Sequence, residues 1–142
     1  YWGLEAEDAG MAAAVARGNR ITLSPADLSY LDMKYNPDTP LGQDWAALIE
    51  VDRAYDWNPG TFLKGVPESA VRGVEAPLWT ETITDSADIE YMAFPRLPAY
   101  AELNWSPQST HSWDSFRTRL AHQGPRWTEQ GVNFYRSPLI PW

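Results

Sequence analysis

Cysteine is absent from the 142 residues, and histidine occurs only twice. Without cysteine, the chain can form neither a disulfide nor a thiolate metal site. The two histidines, His111 and His122, are not spaced as metal ligands. The sequence also lacks a glycine-rich phosphate loop, a Gly-x-Ser-x-Gly motif and any apolar run near the roughly 20 residues of a membrane span. Neither a cofactor nor a membrane is therefore expected.

Positive charge is scarce. Eleven lysines and arginines face nineteen acidic residues, which gives a net charge of −8. Nucleic acid is not an expected partner, because binding of phosphates requires a basic surface. What the chain has in excess is tryptophan, with eight copies in a sequence that is 44% hydrophobic. This composition is typical of a folded chain with a real core, and a surplus of indoles is common in carbohydrate sites.

The N-terminus begins Tyr1-Trp2-Gly3, with neither an initiator methionine nor a signal peptide. We expect a chain cut from the interior of a longer protein. Its targeting therefore cannot be judged from this end of the sequence.

The order of predicted elements is strand end, helix, strand, long irregular segment, strand, helix, helix. Alternation of this kind indicates parallel β/α units, in which side chains at the carboxyl ends of the strands perform the chemistry. The predicted elements are the tail of a strand at Trp2-Gly3, a helix over 5–17, strands over 21–24 and 71–79, a turn-rich segment over 33–70, a helix over 86–103 interrupted by Pro95 and Pro98, and a helix over 112–130 broken near Gly124-Pro125.

The run from Gly73 to Glu81 ends in an aromatic residue and an acid two positions apart, Trp79 and Glu81. In a strand, positions i and i+2 point to the same face. An indole stacks on the apolar face of a pyranose ring and a carboxylate accepts hydrogen bonds from its hydroxyls, so the pair suits a sugar. The alternative is a core tryptophan beside a solvated glutamate.

The same chemistry occurs upstream, where Tyr30 and Asp32 follow the first strand. The alternative is a surface tyrosine beside an aspartate that forms a turn. Asp32 and Glu81 are also candidates for the carboxylate pair of a glycosidase.

Three further residues have two interpretations each. Trp45 either forms the wall or lid of a site or packs in a short helix with Leu48 and Ile49. Arg96 and Glu102 are either functional or form an ion pair that holds the interrupted helix.

Several motifs together resemble the β-N-acetylhexosaminidases of glycoside hydrolase family 20, in particular the actinobacterial, chitobiose-cleaving members. They are Tyr30-Leu31-Asp32 after Leu23-Ser24-Pro25, then Gly73-Val74-Glu75-Ala76-Pro77-Leu78-Trp79-Thr80-Glu81, then Phe94-Pro95-Arg96-Leu97, and Ala101-Glu102-Leu103-x-Trp105-Ser106. The resemblance covers essentially the whole chain.

The resemblance implies an α/β fold that is part of a TIM (β/α)8 barrel. Residues 1–142 would be the C-terminal portion of the catalytic barrel, from the end of strand six through strand eight and the closing helices. The family signature His-x-Gly-Gly-Asp-Glu is absent, since the sequence contains neither Asp-Glu nor Gly-Gly. The acid glutamate would therefore lie outside the chain, and we expect the isolated chain to be inactive.

The resemblance also implies roles for individual residues. Tyr30 would orient the substrate's acetamido group, whose oxygen attacks the anomeric carbon to give an oxazolinium intermediate with retention. Trp2 and Trp79 would enclose the acetamido group and form the floor of the sugar pocket. Asp32 and Glu81 would bind sugar hydroxyls, and Trp45 would lie near the leaving-group sugar.

The expected partners are β-linked N-acetylhexosaminides, which are chito-oligosaccharides or glycans, and the missing N-terminal part of the barrel. Unpaired strand edges also predict self-association of the chain alone. A secreted location follows from the resemblance only. Two other hypotheses are a non-catalytic carbohydrate-binding module, which would also explain the tryptophans and the missing acid, and a structural fragment without a ligand.

Overall fold

The computed structural model describes all 142 residues. Seven short helices surround a small parallel sheet. The elements are α1 (Ala9–Ala16), β1 (Ile21–Leu23), α2 (Ala26–Ser29), α3 (Val51–Tyr55), β2 (Val71–Val74), α4 (Ser86–Ala93), α5 (Arg96–Trp105), α6 (Trp113–Ala121) and α7 (Gln123–Glu129), with 3₁₀ turns at Glu68–Ala70 and Gln108–Thr110.

The sheet is parallel, as the alternation of strands and helices predicted. Thr22 pairs with Gly73 and Leu23 with Val74. The first residue extends the sheet at the other edge of β1, because the Tyr1 amine donates to the Thr22 carbonyl at 2.7 Å and the Ser24 N–H donates to the Tyr1 carbonyl at 2.7 Å. The predicted strand tail is therefore present only as this pairing of Tyr1, and Trp2 and Gly3 lie outside it.

The free edge of β2 is occupied by a side chain. The Val74 N–H donates to Asn104 Oδ1 at 2.6 Å, and Asn104 Nδ2 donates back to the Val74 carbonyl at 3.1 Å. The side-chain amide of α5 thus takes the place of a strand at this residue. Gly73 allows the close approach, since a Cβ there would lie 2.6 Å from Asn104 Oδ1.

Helix boundaries follow their caps. Asp8, Asp85 and Ser112 cap α1, α4 and α6 by accepting a backbone N–H in the first turn. The cap at Asp8 starts the first helix four residues later than predicted, and Gly18 lies just beyond the end of that helix with φ near +90°.

Two predicted helices are each divided in two. The helix over 86–103 is interrupted at Phe94-Pro95, since proline has no N–H to continue the ladder, whereas Pro98 lies in the first turn of α5, where no such bond is lost. The helix over 112–130 divides at His122. The break thus lies near Gly124-Pro125, as predicted, but not at these residues, because both belong to α7, whose first turn tolerates proline.

The core lies between the sheet and the helices. Leu23, the last residue of β1, is fully buried. Phe116, Leu120 and Trp127 extend the same core across α6 and α7. Trp127 is only 8% exposed and is therefore a core residue. No helix has both the length and the apolar character that crossing a membrane requires.

Candidate active site

Aromatic residues meet where β1 and β2 end. The Tyr30 ring centroid is 6.0 Å from that of Trp79 and 6.2 Å from that of Trp45, which meets it edge-on. Tyr30 follows α2, and the segment leading to Trp79 is tied to it because the Leu31 N–H donates to the Pro77 carbonyl at 2.7 Å. Two motifs nearly fifty residues apart are thus brought together.

The Tyr30 side chain is only 5% exposed, yet its hydroxyl has no hydrogen-bond partner in the protein. The ring lines a cavity of about 560 Å³, and its hydroxyl is available to a ligand there. The other residues that line this cavity are Trp2, Ser24, Glu75, Ala76, Pro77 and Trp79.

The two indoles of the cavity are poorly covered by protein. Trp2 is 70% exposed and Trp79 is 51% exposed. Trp2 also lines an adjoining cavity of about 390 Å³, together with Trp45 and the segment 1–8. Exposed indoles on neighbouring walls are suited to stacking on the faces of sugar rings.

Asp32 is buried, with 3% of its surface exposed, and its Oδ1 atom has no hydrogen-bond partner. Burial raises the pKa of this carboxyl above its ordinary value, and the negative charge of Glu81 acts in the same direction. The nearby N–H groups of Asp32 and Trp79 and the Arg96 guanidinium oppose that shift. A buried acceptor without a donor is costly, and a ligand hydroxyl would satisfy it.

The predicted position of Trp79 and Glu81 on a strand is wrong, because neither residue lies on one. β2 ends at Val74, Pro77 cannot donate to a sheet, and Glu81 is exposed in a turn. The two carboxylates nevertheless interact, because the negative charge of Glu81 acts to raise the pKa of Asp32.

Trp45 is exposed and lies in an irregular segment. The alternative of a short helix over Trp45, Leu48 and Ile49 is therefore wrong. This segment is held by backbone pairing, since the Gln43 N–H donates to the Asp32 carbonyl at 2.8 Å and the Lys34 N–H donates to the Gln43 carbonyl at 2.7 Å.

Arg96 does not form the predicted ion pair with Glu102. It is fully buried, and its guanidinium donates to backbone carbonyls on both sides of Asp32, at Leu31 (2.6 Å) and Met33 (2.7 Å). Glu102 instead pairs with Arg119 at 2.7 Å and accepts a hydrogen bond from the Tyr55 hydroxyl. Arg96 therefore supports the segment that carries the site, a role that its sequence context did not indicate.

Another cavity, of about 620 Å³, lies between α5 and α6 and contains none of the residues to which the family resemblance assigns a role in sugar binding. Its charged groups, Glu102 and Arg119, neutralise each other. No three His, Cys, Asp or Glu side chains lie close enough together to hold a metal ion.

Residues 1–108 match the catalytic domain of glycosyl hydrolase family 20. The chain belongs to this family. Family 20 β-N-acetylhexosaminidases remove terminal N-acetylglucosamine, and the structural relatives are TIM-barrel enzymes, so the predicted fold class, part of a (β/α)8 barrel, is confirmed.

The family 20 relatives include actinobacterial enzymes. The chain is 43% identical over 142 residues to a β-N-acetylhexosaminidase of Cellulomonas fimi, covering 100% of this chain and 29% of that protein. It superimposes on the family 20 β-N-acetylhexosaminidase of Streptomyces coelicolor A3(2) with a TM-score of 0.95 at 56% identity, covering 100% of this chain and 30% of that one.

A Streptomyces plicatus N-acetyl-β-hexosaminidase, solved in complex with Thio-NAglucal, gives a TM-score of 0.91 at 56% identity, with 100% of this chain and 29% of that chain covered. A mutant of that enzyme was solved with the product GlcNAc. The chain thus spans less than a third of the length of these family 20 relatives.

Proposed function

We propose that this chain is the C-terminal portion of the catalytic barrel of a retaining exo-β-N-acetylhexosaminidase. It would supply the sugar-binding side of the active site, while the acid glutamate lies outside these residues. The substrate would be a terminal β-linked N-acetylhexosaminide, and no cofactor takes part. The observation that carries the proposal is the unpartnered Tyr30 hydroxyl in a cavity walled by Trp2 and Trp79.

Tyr30 would donate a hydrogen bond to the substrate's acetamido oxygen. That oxygen attacks the anomeric carbon as the glycosidic bond breaks, and a proton from the absent acid passes to the leaving oxygen. The oxazolinium ion is then opened by water with overall retention. Fixing a built-in nucleophile in this way is a proximity effect. The Tyr30 ring is buried and contacts both Trp45 and Trp79, and this confinement supports the role.

Asp32 and Glu81 would bind the ring hydroxyls, at O4 and O6. The unpartnered Oδ1 of Asp32 supports a role as acceptor, because a substrate hydroxyl would supply its missing donor. The stacking of Trp79 against the sugar would fix the plane of the ring. Trp45, which meets the Tyr30 ring edge-on, would contact the leaving-group sugar.

The test is Tyr30→Phe in the intact enzyme, assayed on a chromogenic N-acetylglucosaminide. We expect kcat to fall by roughly 100-fold, within the range attributed to orientation of a reacting group, while the thermal transition stays in place. Tyr91→Phe is the matched control, because the Tyr91 hydroxyl also has no hydrogen-bond partner but lies away from the cavity. A near-normal kcat for Tyr30→Phe would remove Tyr30 from this role.

A further inference from the structure

Two loops of the site are joined by a single side chain. The Gly42 N–H donates to the Thr82 hydroxyl oxygen at 2.9 Å. This is the only hydrogen bond between residues 41–50, which carry Trp45, and residues 75–85, which carry Trp79 and Glu81.

Gly42 itself has little freedom to move. Its φ is near +90°, and a Cβ at this position would lie 2.6 Å from the Asp32 carbonyl oxygen. The next residue, Gln43, is paired with the backbone on both sides of Met33. The Gly42 N–H is therefore held in a fixed position relative to Asp32. The hydrogen bond from this N–H to Thr82 attaches the turn that contains Glu81.

We propose that Thr82 is a positioning residue that sets the distance between Trp45 and Glu81. The inference rests on the proposed function and deepens it. Trp45 lies three positions after Gly42, and Glu81 is adjacent to Thr82, so one hydrogen bond aligns the wall for the leaving-group sugar with the group that binds the terminal sugar. Thr82 would thus favour substrates with a sugar on both sides of the scissile bond.

The test compares two substrates in the intact enzyme, N,N′-diacetylchitobiose and an aryl N-acetylglucosaminide that has no leaving-group sugar. Thr82→Val keeps the shape of the side chain and removes the acceptor. We expect kcat/KM for the disaccharide to fall about five-fold relative to the aryl substrate, the effect of one neutral hydrogen bond. Thr82→Ser should restore the ratio.

Thr84→Val is the matched control, since the Thr84 hydroxyl donates to Asp88 at 2.8 Å, on the side of α4. We expect it to leave the ratio unchanged. Amide hydrogen exchange of the peptide 41–45 should become faster in Thr82→Val and not in Thr82→Ser, because the Gly42 N–H loses its acceptor.

If Thr82 only stabilises the fold, Thr82→Val will lower kcat/KM for both substrates together and will also lower the melting temperature. That result would overturn the inference. An unchanged ratio and unchanged exchange in Thr82→Val would also overturn it while leaving the proposed function intact. A wild-type enzyme that hydrolyses neither substrate would overturn the proposed function and this inference with it.

Discussion

The guanidinium carbon of Arg96 lies 3.9 Å from the centre of the Tyr35 ring, and no carboxylate pairs with it. Its charge is instead satisfied by the carbonyls of Leu31, Met33, Ile49 and Met92. A buried cation is costly unless it is hydrogen-bonded, and these four contacts and the ring face offset that cost. The segment 31–49, with Asp32 and Trp45, is thereby attached to the start of α5.

Arg96→Met should destabilise the intact enzyme strongly. The change leaves buried carbonyls without donors, and we expect a loss of at least about 3 kcal/mol in the free energy of unfolding. Arg96→Lys should lose less, because the ammonium keeps the charge but lacks the planar fork that reaches several carbonyls. Denaturant titration of the three proteins measures the difference, and equal stability of Arg96→Met and wild type would contradict this role.

Asp32 should make the stability of the intact enzyme depend on pH. Because burial raises its pKa in the folded state, the folded protein binds this proton more tightly than the unfolded chain does. Stability from this group is therefore present at low pH and is lost as pH rises from the ordinary value of 3.8 through the raised pKa. Asp32→Asn should melt at a higher temperature than wild type at neutral pH.

The gain in Asp32→Asn should shrink as pH falls below 3.8, where the wild-type carboxyl is protonated in both states. Thermal scans of both proteins at a series of pH values measure it. We expect Asp32→Asn to lose activity, because the buried carboxylate that destabilises the fold is also the group that would bind the substrate. A melting difference that is constant across pH would show that the Asp32 charge is not responsible.

The chain alone should neither bind N-acetylglucosamine measurably nor hydrolyse a chromogenic N-acetylglucosaminide. Trp2 and Trp79 are open to solvent on one side, so the walls formed by these residues enclose a ligand only in part. Calorimetry on the purified chain is the measurement. Binding by the chain alone would favour the hypothesis of a carbohydrate-binding module, and turnover that depends on Tyr30 would contradict the assignment of the acid to another part of the protein.

The aromatic and acidic site residues could be predicted from the sequence because their chemistry is local. Tyr30 and Trp79 each follow a short strand, and parallel strands bring their carboxyl ends to one edge. The backbone conformation of Trp79 and Glu81 could not be predicted in this way, since β2 ends at Val74 and the residues that follow are irregular. Tyr30 and Trp79 are close because the Leu31 N–H donates to the Pro77 carbonyl, not because the two residues share a strand face.

Arg96 could not be predicted because its partners are backbone carbonyls. Every residue has a carbonyl, so no side-chain pattern marks the ones at Leu31, Met33 and Ile49, which lie 47 to 65 positions away in sequence. A nearby carboxylate, Glu102, suggested an ion pair by sequence distance alone. Thr82 was missed for the same reason, since its donor is the backbone N–H of Gly42.

The most direct measurement is a structure of the intact enzyme with bound N-acetylglucosamine. We expect the Tyr30 hydroxyl to lie at a hydrogen-bond distance of about 2.5–3.0 Å from the acetamido oxygen, with the sugar ring against Trp79 and the Asp32 carboxylate bound to a ring hydroxyl. A sugar bound elsewhere, for example in the cavity between α5 and α6, or an acetamido group directed away from Tyr30, would contradict it.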